Sequence, residues 1–139
     1  MPCGKDMKDE KEIEMNIFLW VLRVLLAVFF GFHGWLYLAW PAKMVEQMRK
    51  QNPNGKILGI SDNFRHFIGV AEWAAAVGMV LPGLTGIMPW LTPIAAAGLM
   101  IIMASAVVFH LSAHERKEAI FPAIWFVFAT VAAYMSFLA

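Results

Sequence analysis

The stretch FIGVAEWAAAVG, residues 67–78, is apolar and built from small side chains, yet it carries Glu72. Between Val70 and Ser112 the only acidic or basic residues are Glu72 and His110. A carboxylate facing lipid costs several kcal/mol, so Glu72 must face other protein groups and find a partner there, or be protonated. Two histidines stand at suitable positions in other apolar runs, His33 and His110. A carboxyl group beside imidazoles can exchange protons with a ligand. It can also form a structural polar network that holds helices in register. Two histidines and one carboxylate could instead bind a metal, although no local ligand spacing supports this. A b-type haem held between His33 and His110 is a further reading. Metal and haem are the less favoured of these. Arg23 is the remaining charge in the first apolar run. It lies about 15 Å from His33 along a helix axis, and it either snorkels to the interface or reaches inward toward Glu72.

These residues need elements long enough to cross a bilayer. The chain has 139 residues, of which 60% are hydrophobic and 15% charged, whereas soluble domains have about a quarter charged. Four runs qualify as membrane-spanning helices, at about 17–40, 64–84, 88–111 and 119–138. The fold class is therefore all-α, an antiparallel four-transmembrane-helix bundle forming a single domain over residues 17–139 behind a polar tail, 1–16. In the second run, helical spacing places Gly69, Glu72, Ala76 and Met79 on one face. Ala71 with Ala75, and Ala74 with Gly78, are small-residue pairs that admit a neighbouring helix. Glu72 and His33 both fall about two turns in from the same end, and His110 falls at that end. A tight turn is expected around Pro82-Gly83 and Thr85-Gly86. Pro93 and Pro122 are expected in first turns, where proline costs no hydrogen bond.

The connections set the orientation. Two of them hold Lys43, Arg49, Lys50, Lys56, Arg65, Arg116 and Lys117, against Lys5, Lys8 and Lys11 on the other face. The positive-inside rule then puts the basic loops in the cytoplasm and both termini outside a cytoplasmic (inner) membrane. PAKMVEQMRKQ, residues 41–51, reads either as an interfacial helix with Met44, Val45 and Met48 toward lipid or as a solvated loop. His66 and His114 read as solvated. The residues before Met15 are expected to be disordered or on the surface, and no cleaved signal peptide is expected. The sole cysteine, Cys3, excludes an internal disulfide, a C-x-x-C motif and covalent c-type haem. A net charge of +1 implies no affinity for nucleic acid.

The residues also carry a resemblance. LRVLLAVFFGFHGWLYL, with Arg23 and Gly34, is followed by IGVAEWAAAVGMVLPGLTG, with Gly69, Glu72, Gly78, Pro82, Gly83 and Thr85. LTPIAAAGLMIIMASAVVFHL then ends on His110. In this order and spacing the chain resembles the DoxX and DoxX-like family of small four-helix membrane proteins. Many relatives have a lysine and a leucine just after the glycine of helix one, where this chain has Tyr37 and Leu38. The phenol could still donate a hydrogen bond.

The resemblance implies the fold more firmly than the function. Some relatives are similar to membrane subunits of thiosulfate:quinone oxidoreductases, and others resemble assembly factors or chaperones for membrane proteins. Two functions are therefore carried forward. One is an accessory subunit of a membrane redox complex that contacts quinone or positions a partner enzyme, with a ligand-binding or intramembrane polar site of Glu72, His33, His110 and Tyr37 and with Arg23 as an outer contributor. The other is a non-catalytic assembly or chaperone module that binds partner helices through Gly69, Ala71, Ala75 and Gly78. An autonomous transporter ranks last. The partners implied are the bilayer, a membrane or peripheral protein, and a second copy of the chain packed through the alanine-rich faces.

Overall fold

The computed structural model describes the backbone of residues 4–139 and every side chain in it except that of Lys5; Cys3 lies outside the described residues. In chain order the elements are α1 (Gly4–Ala39), α2 (Pro41–Gln51), a 3-10 turn (Lys56–Gly59), α3 (Asp62–Thr85), α4 (Leu91–Ser112) and α5 (Arg116–Leu138). No strand occurs among the described residues. Four of the helices, α1, α3, α4 and α5, are long and apolar enough to cross a membrane. The chain is a multi-pass helical membrane protein.

The described part of the tail is helical and exposed. It continues α1 back to Gly4, giving 36 residues in one helix. Extending an existing helix avoids the cost of nucleation, and the tail is rich in lysine, glutamate and methionine, which favour helix. At 1.5 Å per residue α1 is about 54 Å long, well beyond a hydrocarbon core of about 30 Å. Its polar N-terminal part therefore projects from the bilayer.

The expected turn at Pro82-Gly83 is not a turn. α3 runs through both residues and stops at Gly86, whose φ of +70° is the left-handed conformation that suits glycine. Gly86 N–H donates to the Pro82 carbonyl at 2.9 Å. Pro122 is not in a first turn either, because α5 starts at Arg116 and runs through it. PAKMVEQMRKQ is a helix, α2, with Pro41 in its first turn. Its Met44 and Met48 are half-buried and line a cavity inside the protein, whereas the interfacial-helix reading had them toward lipid.

Packing is most extensive between α1 and α3 and between α4 and α5, and the two pairs meet chiefly through α3 and α4. The interior is made of Leu22, Leu26, Phe30, Met79, Leu99 and Met103 with Ala96, Ala129, Ala132 and Ala133. Large apolar side chains such as Val28, Phe32, Leu84, Val108 and Val127 point outward, as lipid contact allows. The closest helix approach is Gly34 against Gly69. A Cβ on Gly34 would sit 2.6 Å from the Gly69 carbonyl oxygen, and one on Gly69 would sit 3.0 Å from that of Gly34. The crossing requires glycine on both sides. Gly78 meets α4 in the same way, and a Cβ added there would lie 2.9 Å from Ala95 Cβ.

Candidate functional site

The Gly34–Gly69 crossing determines which side chains meet beside it. His33 precedes Gly34, and Glu72 follows Gly69 by one turn. Glu72 is almost fully buried at 1% exposure, and its Oε2 lies 2.6 Å from His33 Nδ1. With an ionised carboxylate, Nδ1–H donates and Nε2 is left as the acceptor; with a protonated carboxyl group the roles reverse. His33 is a quarter exposed. Its ring stacks on Phe29 at 6.0 Å between centroids and 12° between planes. Tyr37, one turn on, meets it edge-on at 5.0 Å and is itself buried. The imidazole is thus clamped on both sides, with a carboxyl group behind it. Among the described residues, His33 Nε2, Glu72 Oε1 and the Tyr37 hydroxyl have no hydrogen-bond partner.

All three residues line a cavity of about 1270 Å³ between the α1–α3 and α4–α5 pairs at the loop end. Its walls are mainly apolar, including Phe30, Met103, Phe109 and Pro122, and α2 contributes Met44 and Met48. The combination of a mainly apolar cavity and a few convergent polar groups is the usual form of a small-molecule site.

His110 lines the same cavity but does not join Glu72. Its Nδ1 bonds Glu115 Oε2 at 2.8 Å. Glu115 Oε1 accepts the Lys56 backbone N–H at 2.6 Å. That N–H, with help from His110 and opposed by burial, holds the Glu115 carboxyl below its ordinary range. Glu115 lies in the turn between α4 and α5. His114 adopts φ of +61°, and this folds the turn back so that Glu115 reaches the end of α4. Asn52 Nδ2 donates to Glu118 Oε1 at 3.0 Å, a second tie between the α2–α3 connection and α5.

Arg23 neither reaches Glu72 nor lines the cavity. Its Nη2 and Nε donate to Ser136 Oγ at 2.9 and 3.3 Å, and its guanidinium lies 5.7 Å from the Trp20 ring centroid. Arg65, which the sequence assigned to the basic loop face, is buried at 5% exposure. It clamps the 3-10 turn by donating to the carbonyls of Ile57 and Leu58 at 2.8 and 3.1 Å. The cue that could have flagged it is its position in the first turn of α3, behind the N-cap Ser61. His66 and His114 are exposed. Gly69, Ala75 and Gly78 are buried, while Ala71 is half-buried and Ala74 exposed. Among the described residues no three of the His, Cys, Asp and Glu side chains come together to hold a metal ion.

Four membrane-length helices, with a buried acid–histidine pair in the wall of a cavity between them, describe a small polytopic membrane protein. The chain belongs to the DoxX-like family, whose model matches residues 21–132. No curated protein and no solved structure matches it.

Proposed function

We propose that this chain binds an amphipathic ring compound of the quinone class in the loop-end cavity and serves as the accessory membrane subunit of a redox complex. The observation that carries the reading is the His33–Glu72 pair. It is fixed by a glycine crossing, backed by almost complete burial of the acid, and turned toward an apolar cavity. A ring oxygen would accept a hydrogen bond from His33 or Tyr37, and Glu72 would hold the imidazole in one orientation and exchange a proton with it. Electron transfer belongs to the partner enzyme, and this chain's part is binding and proton exchange. The basic loops face the cytoplasm in this account, following their excess of lysine and arginine.

The competing reading, an assembly or chaperone module, relies on small-residue helix faces free to bind partner helices. Gly69, Ala75 and Gly78 are already covered by this chain's own helices, which favours the ligand reading. The test is quinone-linked turnover of the complex with Glu72→Gln. The ligand reading predicts loss of turnover in a protein that is still folded and inserted. Full turnover in Glu72→Gln, with loss of a partner in variants of Ala75 or Gly78, would reverse the choice.

A further inference from the structure

The cavity exceeds what a ring requires. At about 1270 Å³ it is larger than the roughly 300–1,000 Å³ of most ligand pockets. Its loop end is covered only in part by α2, since exposed Lys43, Gln47 and Lys117 line it there, and is tied through Asn52–Glu118 and Lys56–Glu115. Its side wall is different. Phe64, Phe67 and Ile101 line it and are nevertheless 51%, 64% and 61% exposed. Side chains can do both only at an opening; Trp40 and Phe121 also line the cavity and are exposed, and it is the adjoining groove on α4 that singles out the α3–α4 side. Those helices touch at Gly78 and Ala95, farther from the loops, and the gap lies between that contact and the loop end. A shallow groove of about 450 Å³ continues outward over Ala104, Ser105, Val108 and Phe109, and it shares Ser105 and Phe109 with the cavity. The Ser105 hydroxyl donates to the Ile101 carbonyl at 2.8 Å. The path over it is therefore apolar.

We infer that the ligand carries a long apolar tail and enters sideways from the bilayer between α3 and α4. Its polar head rests at His33, Glu72 and Tyr37, and its tail passes Phe67, Ile101 and Ser105 into the outer groove. The inference rests on the cavity being a ligand site. Lateral entry also explains how a ligand that resides in the bilayer reaches the site without crossing the charged loop end.

The experiment uses the full chain in phosphatidylcholine nanodiscs and equilibrium binding of two radiolabelled probes, a benzoquinone ring bearing a ten-carbon alkyl chain and the same ring without it. Ser105→Trp fills the passage at an exposed position. Ile94→Trp, exposed on the same helix away from the cavity, is the control. Excluding two buried methylenes already corresponds to about a tenfold loss. Ser105→Trp is therefore expected to weaken the tailed probe at least about tenfold and to leave the tailless ring and the Ile94→Trp control unchanged. Unchanged binding of both probes by Ser105→Trp would overturn the lateral passage while leaving the site in place. Equal loss of both probes would overturn the tail assignment. Failure of the wild type to bind either ring would remove the quinone site itself and this inference with it.

Discussion

Glu72 and His33 form a pair whose two members respond differently to substitution. Glu72→Gln keeps a side chain able to bond His33 Nδ1. We expect it to change stability by no more than about 1 kcal/mol, measured by thermal unfolding in detergent, while ligand binding is lost. His33→Ala leaves a carboxyl group at 1% exposure without its partner, and removing one member of a buried pair costs about 3–5 kcal/mol. Its unfolding temperature should fall well below that of Glu72→Gln; equal values would show that the pair is not coupled. The second acid–histidine pair, His110 with Glu115, lies at the loop end. The Glu115 carboxyl is held below its ordinary range in the folded protein. Its tie to Lys56 is therefore at full strength above the ordinary carboxylate range and is lost as pH falls through the lowered folded value. Hydrogen exchange of the Lys56 amide should accelerate, relative to its intrinsic rate, as the pH is lowered through that value. In Glu115→Gln this pH dependence should disappear. The first pair was legible in the sequence because depth along two apolar runs brings Glu72 and His33 level. The second was not, because it depends on a left-handed turn at His114, and the sequence alone matched His110 to the wrong acid.

At the scale of elements, the α1–α3 crossing positions the site. Gly34→Ala places a methyl group 2.6 Å from a backbone oxygen that cannot swing aside. The expected loss is about 1–3 kcal/mol or more, together with loss of ligand binding as His33 and Glu72 are pushed apart. Gly98→Ala meets nothing within 4 Å, and it should be neutral or stabilising by about 0.5–1 kcal/mol from helix preference. Comparable unfolding temperatures for the two variants would contradict the tight crossing. The four spans could be read from hydropathy to within a few residues at most ends. Which small residues sit at the crossing could not, because alanines occupy several faces of α3 and a partner helix chooses among them. Gly69, Ala75 and Gly78 were chosen, while Ala74 faces outward. Pro82 suggested a turn, but α3 continues past it, and only Gly86 has the backbone freedom to end the helix. α2 became a helix whose methionines face inward because the cavity beneath it offers apolar contact that water would not.

For the whole molecule, the basic connections and the cavity share one end. In the cytoplasmic orientation, a cysteine introduced at exposed Asn54 in a Cys3→Ser background should react with an impermeant maleimide only after the cells are opened. Labelling in intact cells would invert the topology. The central claim is that the loop-end cavity holds an amphipathic ligand through His33 and Glu72. The most direct measurement is purification of wild type and Glu72→Gln side by side in mild detergent, with mass spectrometry of the extracted lipids and the co-purifying proteins. A quinone-class molecule is expected to be retained by the wild type and missing from the folded variant. The same small molecules in both, together with a specific protein partner, would contradict it and make Glu72 a packing residue.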